Sequence, residues 1–367
     1  MKAKAAILFD VGQKLDIREV EVQPPQAGEV MIKMAVGGVC HSDLHVMMGH
    51  LQAPVPAILG HEGSGIVAEV GPGVTALKPG DHVIPMWRLS CGTCEHCSDA
   101  RPALCAAGSQ IRMTGRLLDG TTRFKCNGQE IKHFAGVSSF SEYSVIPAAA
   151  VMKIPTDFPL EMAALLGCGV ITGVGAVFNA AKVKPGSSVA VFGTGGVGMN
   201  VVQGAVIAGA EKIIAVDILD SKLMLARKFG ATHTVNSKKD KAVDAVRELT
   251  GGRGVDYAFE VIGLPETIRQ AYDSLCKRGM AIAIGVTPMS TEVSVPIMGL
   301  VYEERVLTGS IYGSSRPWID IPMLMKLYES GKLKLRELLT RTYPFSQINE
   351  AYDALQRGEV LRSIVKF

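Results

Sequence analysis

The sequence predicts an α/β protein of two domains, a β-rich barrel-like domain and a doubly wound domain built on a parallel sheet. Three observations predict this class. The chain of 367 residues is longer than one ordinary hydrophobic core. Its first third reads as short strands roughly ten residues apart with little helical periodicity, which is typical of small barrels. From about residue 182 onward, strands alternate with helices, as in parallel sheets.

Composition and charge exclude several functional classes. The chain is 47% hydrophobic and 20% charged, with a net charge of +3 and no dense run of Lys or Arg, so nothing favours nucleic-acid binding. The apolar run near Met1 is too short for a signal peptide, and we expect no apolar stretch near the ~20 residues of a membrane span. We therefore expect a soluble, cytoplasmic protein without membrane partners, whose eight cysteines are metal ligands or ordinary thiols.

The strands of the first domain are short and bounded by turns. Residues 30–36 alternate loosely, 65–70 form an apolar strand after a glycine, and the turn at 78–81 leads into a strand at 82–84. A long excursion, about residues 88–108, interrupts this pattern. It carries Cys91, Cys94, Cys97 and Cys105.

The spacing of these four cysteines, C-x2-C-x2-C-x7-C, is typical of a structural zinc site. Two-residue gaps let a tight turn present two thiolates to one ion. Disulfides would require an oxidising compartment, and the spacing fits neither common ferredoxin pattern. Four thiolates fill the tetrahedron, so this site leaves no position for a substrate and the chemistry must lie elsewhere.

A second candidate set consists of Cys40, His61 and Cys168. Two thiolates and one imidazole would leave the fourth position of a zinc ion for water or substrate. Each residue alone is more often an ordinary core or surface residue. The spacing along the chain does not connect them, so the residues alone leave this second metal site open.

A nucleotide-binding turn is predicted where the strand–helix alternation starts. A strand at 187–192 runs into Gly193-Thr194-Gly195-Gly196-Val197-Gly198 and a helix that continues to about Ala208. The next strand, 212–217, ends in Asp217, nineteen residues after the last glycine. This context favours a dinucleotide over some other glycine-rich turn, because the glycines let the backbone approach a pyrophosphate. Asp217 can accept hydrogen bonds from both ribose hydroxyls and would repel a 2′-phosphate, so NAD is expected over NADP.

The alternation continues to the end of the chain. We expect helices at 242–249 and 265–277 and strands at 255–261, 280–286 and 306–312, completing a six-stranded doubly wound sheet. Helices at 318–328 and 345–355 precede a strand at 363–367 that returns to the first domain. The predicted domains are 1–169 with the zinc lobe at 88–108, the nucleotide-binding domain 170–312, and the returning segment 313–367.

At this point the sequence resembles a known family, the zinc-dependent medium-chain alcohol dehydrogenases, along essentially its whole length. The resemblance is carried by Gly60-His61-Glu62 with Gly65 and Gly71, the four-cysteine lobe, the glycine motif with Asp217, and the segment around Arg362. It implies a GroES-like catalytic domain, a Rossmann domain, and reversible hydride transfer between a primary aliphatic or aromatic alcohol and NAD, giving an aldehyde and NADH. It also implies a homodimer or homotetramer, with residues 293–311 at the edge of a dimer.

The resemblance assigns roles to individual residues. Cys40, His61 and Cys168 would hold a catalytic zinc, with Glu62 beside it and Asp43 orienting His61. Ser42 would hydrogen-bond the alcohol, and His45 would end a proton relay that runs through the nicotinamide ribose. The positions that would contact the cofactor are His41, Thr172, Gly193, Gly195, Gly196, Val197, Gly198, Asp217, Lys222, Ile262, Ile284, Val286 and Arg362. An apolar substrate channel would be lined by Leu51, Trp87, Phe134 and Ile311, together with Ile284 and Val286.

Three positions depart from the pattern of the family, and one of them is Trp87, which stands beside the catalytic zinc implied by the resemblance, where a smaller aromatic residue is often seen. Position 41 is His, where many members place an arginine on the pyrophosphate, so we expect looser NADH release from this contact. Leu51 stands where glutathione-dependent formaldehyde dehydrogenases carry an acid, which argues against that activity. Oxidation of a thiol-conjugated hydroxymethyl group, and retention of NAD through turnover, stay open as alternatives. Zinc-free relatives of this fold that are not alcohol dehydrogenases lack the three ligands that this chain keeps. His50 is expected to be an ordinary exposed loop histidine.

Overall fold

The computed structural model describes all residues from 1 to 367. The chain divides into two compact units. The first unit consists of Met1–Cys168, Arg316–Pro322 and Leu335–Phe367, and the second unit consists of Gly169–Ser315 and Met323–Lys334. Each unit contains its own sheets and its own buried apolar core.

The regular elements alternate along the chain. The strands are β1 (Lys2–Leu8), β2 (Asp16–Val22), β3 (Glu29–Val39), β4 (Ala57–Ile58), β5 (Gly63–Val70), β6 (His82–Pro85), β7 (Phe124–Cys126), β8 (Gln129–His133), β9 (Tyr143–Pro147), β10 (Val151–Lys153), β11 (Ser188–Phe192), β12 (Lys212–Asp217), β13 (His233–Asn236), β14 (Val255–Glu260), β15 (Leu275–Ala283), β16 (Val306–Gly309), β17 (Leu339–Pro344) and β18 (Arg362–Lys366). The α-helices are α1 (His41–Met47), α2 (Glu95–Ser98), α3 (Ala106–Thr114), α4 (Leu160–Leu165), α5 (Ile171–Gly175), α6 (Gly196–Ile207), α7 (Asp220–Lys228), α8 (Ala242–Leu249), α9 (Pro265–Asp273), α10 (Ile297–Val301), α11 (Pro317–Glu329) and α12 (Ile348–Gln356).

The first unit contains a closed barrel of five strands in the order β1-β2-β7-β8-β4. Side chains on alternate positions point inward, and Leu8, Phe124 and Ile131 are fully buried. Closure pairs the backbone of every strand, so this small sheet has no exposed edge. The barrel-like domain predicted from the strand spacing is confirmed.

A second sheet of the first unit has the order β10-β6-β5-β3-β18-β17, with β9 also paired to β3. Strand β18 is antiparallel to β3, with Ser363 opposite Val39, and β5 lies on the other side of β3, with Gly63 opposite Gly37. This register brings the end of β3 next to the starts of β5 and β18. Cys40, His61 and Arg362 flank those three strand ends.

The second unit is built on a parallel sheet of six strands in the order β13-β12-β11-β14-β15-β16. Numbered within this sheet, the order is 3-2-1-4-5-6, so the chain reverses direction across the sheet beside β11. The doubly wound fold predicted from the alternation is confirmed.

Several element boundaries differ from the sequence prediction, and one strand was not predicted. The helix expected at 265–277 ends at Asp273, and Leu275 already begins β15. The strand expected at 306–312 ends at Gly309, where a 3-10 turn at Tyr312–Ser314 follows. The short strand β13 was not individually predicted, because its four residues (His, Thr, Val, Asn) carry little apolar signal.

The expectation that no apolar stretch approaches the length of a membrane span was wrong. The helical run Leu160–Ala181 is 22 residues long and apolar enough to meet that criterion by length and composition. It is 83% buried inside the protein, as is typical of a core helix. Two π-helical segments, Leu166–Val170 and Ala176–Ala181, interrupt it, and the first of these carries Cys168.

Candidate metal centres and nucleotide-binding turn

Cys40, His61, Glu62 and Cys168 form a buried cluster in the first unit, although 128 residues separate the first from the last. One ligand atom from each residue lies within 4.8 Å of those of the others. Cys40 is the residue between β3 and α1, His61 precedes β5, and Cys168 comes from the π-helical segment. The structure therefore brings together the three residues that the sequence alone could not connect.

His61 is oriented by Asp43. The Nδ1 atom of His61 lies 3.2 Å from Oδ1 of Asp43, and the same oxygen accepts a 2.9 Å hydrogen bond from the backbone N–H of Gly60. Burial would lower the pKa of His61, but the charges of Asp43 and Cys40 outweigh it and raise that pKa well above its ordinary value. With Nδ1 engaged, Nε2 faces the cluster and has no hydrogen-bond partner.

The two thiols of the cluster differ in acidity. A hydrogen bond from Cys168 holds the pKa of Cys40 well below its usual range, against the opposing effect of burial. The same hydrogen bond and burial raise the pKa of Cys168 well above its usual range. The lowered pKa of Cys40 favours its thiolate, which is the form that binds metal ions.

Glu62 and Arg362 form an ion pair at the edge of this cluster. Nη2 of Arg362 donates to Oε2 of Glu62, and the two side chains are 4% and 0% exposed. The other carboxylate oxygen, Oε1, lies 3.8 Å from Nε2 of His61 and has no hydrogen-bond partner. Burial raises the pKa of Glu62 to about 7, although the charge of Arg362 opposes that rise. Arg362, predicted as a cofactor contact, is thus buried and paired with a carboxylate.

The donors of this cluster fit a zinc ion. Sulfur, imidazole nitrogen and carboxylate oxygen are the ligands that zinc takes in proteins. Two atoms of the cluster, Nε2 of His61 and Oε1 of Glu62, are buried without a hydrogen-bond partner, and a bound cation would satisfy both. Cys40, His61 and Cys168 can hold the ion, with Glu62 as an adjacent donor.

The four-cysteine lobe forms a second cluster. The sulfurs of Cys91, Cys94, Cys97 and Cys105 lie within 4.8 Å of one another, and those of Cys91 and Cys97 are 4.0 Å apart. A tetrahedral site with Zn–S bonds of about 2.3 Å places its sulfurs about 3.8 Å apart, whereas a disulfide requires about 2.05 Å. All eight cysteines of the chain are free. Backbone N–H groups of Thr93 and Cys94 lower the pKa of Cys91 to about 6.

Helix α1 carries the predicted hydroxyl and imidazole groups. The hydroxyl of Ser42 lies 3.8 Å from Sγ of Cys40, so it is beside the metal cluster. His45, three residues further along the helix, lies on the same face and is half-buried. Burial, and then the charge of His50, lower the pKa of His45. His41, at the start of α1, is exposed.

Two aromatic rings stand edge-on to the imidazole of His61. The ring centroids of Trp87 and Phe134 lie 6.0 and 5.8 Å from that of His61, at interplanar angles of 82° and 78°. Leu51 is partly buried and packs against the same core as Phe134. Leu51, Trp87 and Phe134 therefore belong to the first unit, while Ile311 belongs to the second unit and is 38% exposed.

The glycine motif lies between β11 and α6 in the second unit. Gly193 has a φ of +93°, and a Cβ at Gly198 would lie 1.9 Å from the carbonyl oxygen of Gly193, so neither position tolerates a side chain. A Cβ at Gly195, in contrast, would meet nothing within 4 Å. The turn is therefore closely packed at Gly193 and Gly198 but has free space next to Gly195. A phosphate can approach the N–H groups at the start of α6 through this space.

Asp217 is bound to this turn by a residue that the sequence analysis did not single out. Thr194 donates its backbone N–H and its hydroxyl to Oδ2 of Asp217, both at 2.8 Å. The backbone N–H groups of Ile218 and Leu219 donate to Oδ1. The variable position of the G-x-G-x-x-G motif carries no general signal, so nothing in the pattern pointed to Thr194.

The remaining predicted cofactor residues surround the same edge of the sheet. Ile262 and Val286 follow β14 and β15, the strands next to β11, and are 41% and 36% exposed. Thr172 is buried in α5, and the neighbouring Gly173 packs so closely on α6 that a Cβ would lie 2.5 Å from the carbonyl oxygen of Val197. Ile284, at the end of β15, and Lys222, in α7, are half-buried.

Comparison with known proteins agrees with this architecture. Residues 26–156 match the alcohol dehydrogenase GroES-like domain, and residues 196–330 match the zinc-binding dehydrogenase family. An alcohol dehydrogenase zinc-binding domain protein from Burkholderia ambifaria is 38% identical, with a TM-score of 0.95 and coverage of 100% of this chain and 99% of that one.

Two further solved structures are similar to this chain over its whole length. Benzyl alcohol dehydrogenase from Acinetobacter calcoaceticus is 35% identical, with a TM-score of 0.95 and coverage of 100% and 99%. A zinc-binding dehydrogenase from Sinorhizobium meliloti bound to NADP is 25% identical, with a TM-score of 0.82 and coverage of 100% of both chains.

The fold and the donor sets define an oxidoreductase that uses zinc and a nicotinamide cofactor. The chain belongs to the zinc-dependent alcohol dehydrogenase family, within the medium-chain dehydrogenase/reductase superfamily. The resemblance stated from the sequence is confirmed.

Proposed function

We propose that this protein oxidises primary alcohols to aldehydes with NAD, reversibly, and that aromatic alcohols are among its good substrates. The observation that carries the proposal is the buried Cys40–His61–Cys168 cluster with Trp87 and Phe134 edge-on to His61. Flat aromatic walls favour a planar aromatic ring, since edge-to-face contacts add to the burial of apolar surface. The similarity to a benzyl alcohol dehydrogenase supports the same substrate class.

Each residue around the cluster would have its own role in the proposed reaction. Zinc held by Cys40, His61 and Cys168 would supply a Lewis acid that makes an alcohol hydroxyl more acidic. Asp43 holds Nδ1 of His61, so that Nε2 points into the site. Ser42 would accept the hydrogen bond of the substrate hydroxyl, and His45 would receive the released proton. The lowered pKa of His45 keeps its ring neutral near pH 7, as a proton acceptor must be.

We assign the cofactor as NAD rather than NADP. NAD would supply the acceptor of the hydride. Asp217 places a buried carboxylate at the end of β12, where a 2′-phosphate would meet a like charge. The similar protein from Sinorhizobium meliloti was solved with NADP, so this assignment rests on Asp217 of the present chain and requires its own measurement.

We also propose two zinc ions per chain. The two clusters have different donors: four thiolates in the lobe, and two thiolates, an imidazole and a carboxylate in the other. The first is a closed structural set, and the second keeps a position for substrate. With all eight cysteines free, the chain suits a reducing compartment, and we place it in the cytoplasm.

We propose that the protein assembles into a dimer or tetramer through the second unit. Apolar side chains of α10 and the segment after it are exposed: Ile297 (67%), Val301 (64%) and Tyr302 (74%). The adjacent β16 is the edge strand of the six-stranded sheet and offers unpaired backbone groups. Sedimentation of the wild type and of Val301→Lys tests this assembly, since the charge would dissociate a dimer formed through this face.

The activity is tested with a panel of alcohols and two cofactors on protein whose zinc has been counted. We expect benzyl alcohol and unbranched primary alcohols to be oxidised with NAD, and secondary alcohols and NADP to be used poorly. Formaldehyde with a low-molecular-weight thiol, and purified protein assayed for tightly bound NAD, separate the two alternative reactions. Two zinc ions per chain without turnover of any alcohol would contradict the proposed function.

A further inference from the structure

His50 lies directly against His45, although it was expected to be an ordinary exposed loop histidine. The two Nδ1 atoms are 3.2 Å apart, and the ring centroids are 5.5 Å apart at an angle of 45°. His45 is half-buried, whereas His50 is exposed to solvent. The pair therefore connects the interior end of α1 with the surface of the first unit.

The backbone holds this pair together. Helix α1 ends at Met47, and Gly49 turns the chain with a φ of +77°. The N–H groups of His50 and Leu51 both donate to the carbonyl oxygen of His45, at 2.8 and 3.1 Å. A Cβ at Gly49 would lie 2.8 Å from Cγ1 of Val11, so the turn is also packed tightly from outside. The turn thus fixes the backbone of His50 next to His45, so that the two rings meet.

Two neutral imidazoles in this geometry share one hydrogen atom. One Nδ1 donates and the other accepts, because two lone pairs or two N–H groups would repel each other. An imidazole that gains a proton on one ring nitrogen can release a different proton from the other. A proton taken up by His45 on Nε2 would therefore let its Nδ1–H pass to Nδ1 of His50, and His50 would release a proton from Nε2 to water. Both steps are proton transfers, and neither ring is oxidised or reduced.

The groups around His45 favour transfer of a proton from His45 to His50. Besides His50, the titratable neighbours of His45 are Cys40, which raises its pKa, and His41, whose ring centroid is 6.5 Å away. Burial lowers the pKa of His45, so a proton on its ring is disfavoured there and tends to leave.

We propose that His50 is the proton-transfer residue through which the proton released by alcohol oxidation passes from His45 to solvent. This inference rests on the proposed function and adds one group to its proton path. It also predicts that the last transfer is made by the protein itself and not by a buffer molecule meeting His45.

The test compares His50→Gln with the wild type and with His45→Gln in buffers of increasing imidazole concentration at constant ionic strength. Glutamine keeps hydrogen-bonding capacity and cannot carry the proton. In dilute buffer we expect the turnover of His50→Gln to fall by about threefold or more, and to return toward the wild-type rate as the buffer concentration rises. The wild type should depend little on the buffer. His233→Gln, at a half-buried histidine of β13, is the matched control and should behave as the wild type.

A structural role for His50 would lower turnover equally in every buffer, and that result would overturn the inference. The inference would also be overturned if His50→Gln turned over at the wild-type rate in dilute buffer while His45→Gln was slow. In that case the proposed function would stand. A wild type that oxidises no alcohol overturns the proposed function and this inference together. An NMR titration adds a readout independent of turnover. The pKa of His45 should rise in His50→Gln, because two imidazoles that both bind a proton repel each other and the variant removes that repulsion, and an unchanged value would contradict the contact.

Discussion

Thr194 donates two hydrogen bonds to a single carboxylate oxygen of Asp217, one from its backbone N–H and one from its hydroxyl, each 2.8 Å long. The second oxygen accepts two backbone N–H groups. Four donors of the chain contact this carboxylate, two at each oxygen. Asp217 therefore fastens the glycine turn to the end of β12, in addition to the ribose-binding role predicted for it.

Thr194→Val should destabilise the second unit. The substitution keeps the shape of the side chain and the backbone hydrogen bond, but it removes the hydroxyl that bonds a buried carboxylate. Hydrogen bonds to charged groups contribute about 1.5–3 kcal/mol, and we expect a loss of free energy of unfolding in that range. Urea denaturation measures it. Thr194→Ser keeps the hydroxyl and should lose much less, and equal losses in the two variants would refute this assignment.

Asp217→Asn should weaken the preference for NAD. The neutral amide keeps the size of the side chain and removes the charge that would face a 2′-phosphate. Like charges about 4 Å apart cost about 4 kcal/mol at an effective dielectric of about 20, so we expect the ratio of the Kd values for NADPH and NADH to fall about tenfold or more. Quenching of tryptophan fluorescence gives both constants. An unchanged ratio would remove Asp217 from cofactor selection.

Cys94→Ser should remove one of two zinc ions and lower the thermal stability, while the Cys40–His61–Cys168 site keeps its metal. Loss of one thiolate opens the closed set of four donors in the lobe. Elemental analysis counts the metal. Cys126→Ser is the control, since Cys126 is a buried cysteine outside both clusters, and it should retain two ions per chain. Two ions in both variants would contradict the four-cysteine site.

His133 should make the barrel sensitive to acid. Burial, and then the charge of Arg123, lower the pKa of His133 to about 3, and Nε2 accepts a 3.1 Å hydrogen bond from the backbone N–H of Arg123. The unfolded chain binds a proton at this position near pH 6.5, whereas the folded chain stays unprotonated down to about pH 3. Stability contributed by this residue is therefore present above about pH 6.5 and is lost as the pH falls toward 3, by about 1.4 kcal/mol per unit.

The variant His133→Gln retains an acceptor and removes this titration. Its free energy of unfolding should fall less steeply than that of the wild type between pH 6 and pH 4, even if it is lower at pH 7. Denaturant unfolding at several pH values measures both slopes. Parallel slopes would show that His133 is protonated in the folded protein.

Arg362→Met should leave Glu62 buried without its cation. Breaking a buried ion pair from one side costs about 3–5 kcal/mol, and we expect a loss of that order in the free energy of unfolding. The double variant with Glu62→Gln should recover part of the loss, because no unpaired charge then remains. Additive losses in the two single variants would show that the pair is not coupled.

Local pattern was sufficient to predict much of the second unit. The motif from Gly193 to Gly198 and the acid at position 217 are close in sequence, and both the strand β12 and the helix α8 lie at the predicted positions. Short-range periodicity and turn chemistry determine such elements. The ends of α9 and β16 were not predicted correctly. The sequence pattern of an element can extend beyond the residue at which tertiary packing ends the helix or strand.

The metal site depended on contacts that the sequence does not reveal locally. Cys40 and Cys168 meet because β3 and a π-helical segment converge, and Arg362 reaches Glu62 across 300 residues of chain. The resemblance to a family supplied the ligand set, but not the pairing of Glu62 with Arg362. His50 was missed for a different reason, since a loop histidine carries no periodic signal and the turn at Gly49 sets its position.

Strand β18 pairs with β3, and between them along the chain lies the whole of Gly169–Ser315. During biosynthesis, the second unit emerges from the ribosome before the strand that fills the sheet of the first. Until β18 arrives, β3 has an open edge and Glu62 has no cation. Translation therefore separates the synthesis of the metal ligands from the completion of the sheet that holds them, and a nascent chain stalled before residue 362 should carry a folded second unit beside an incomplete first one.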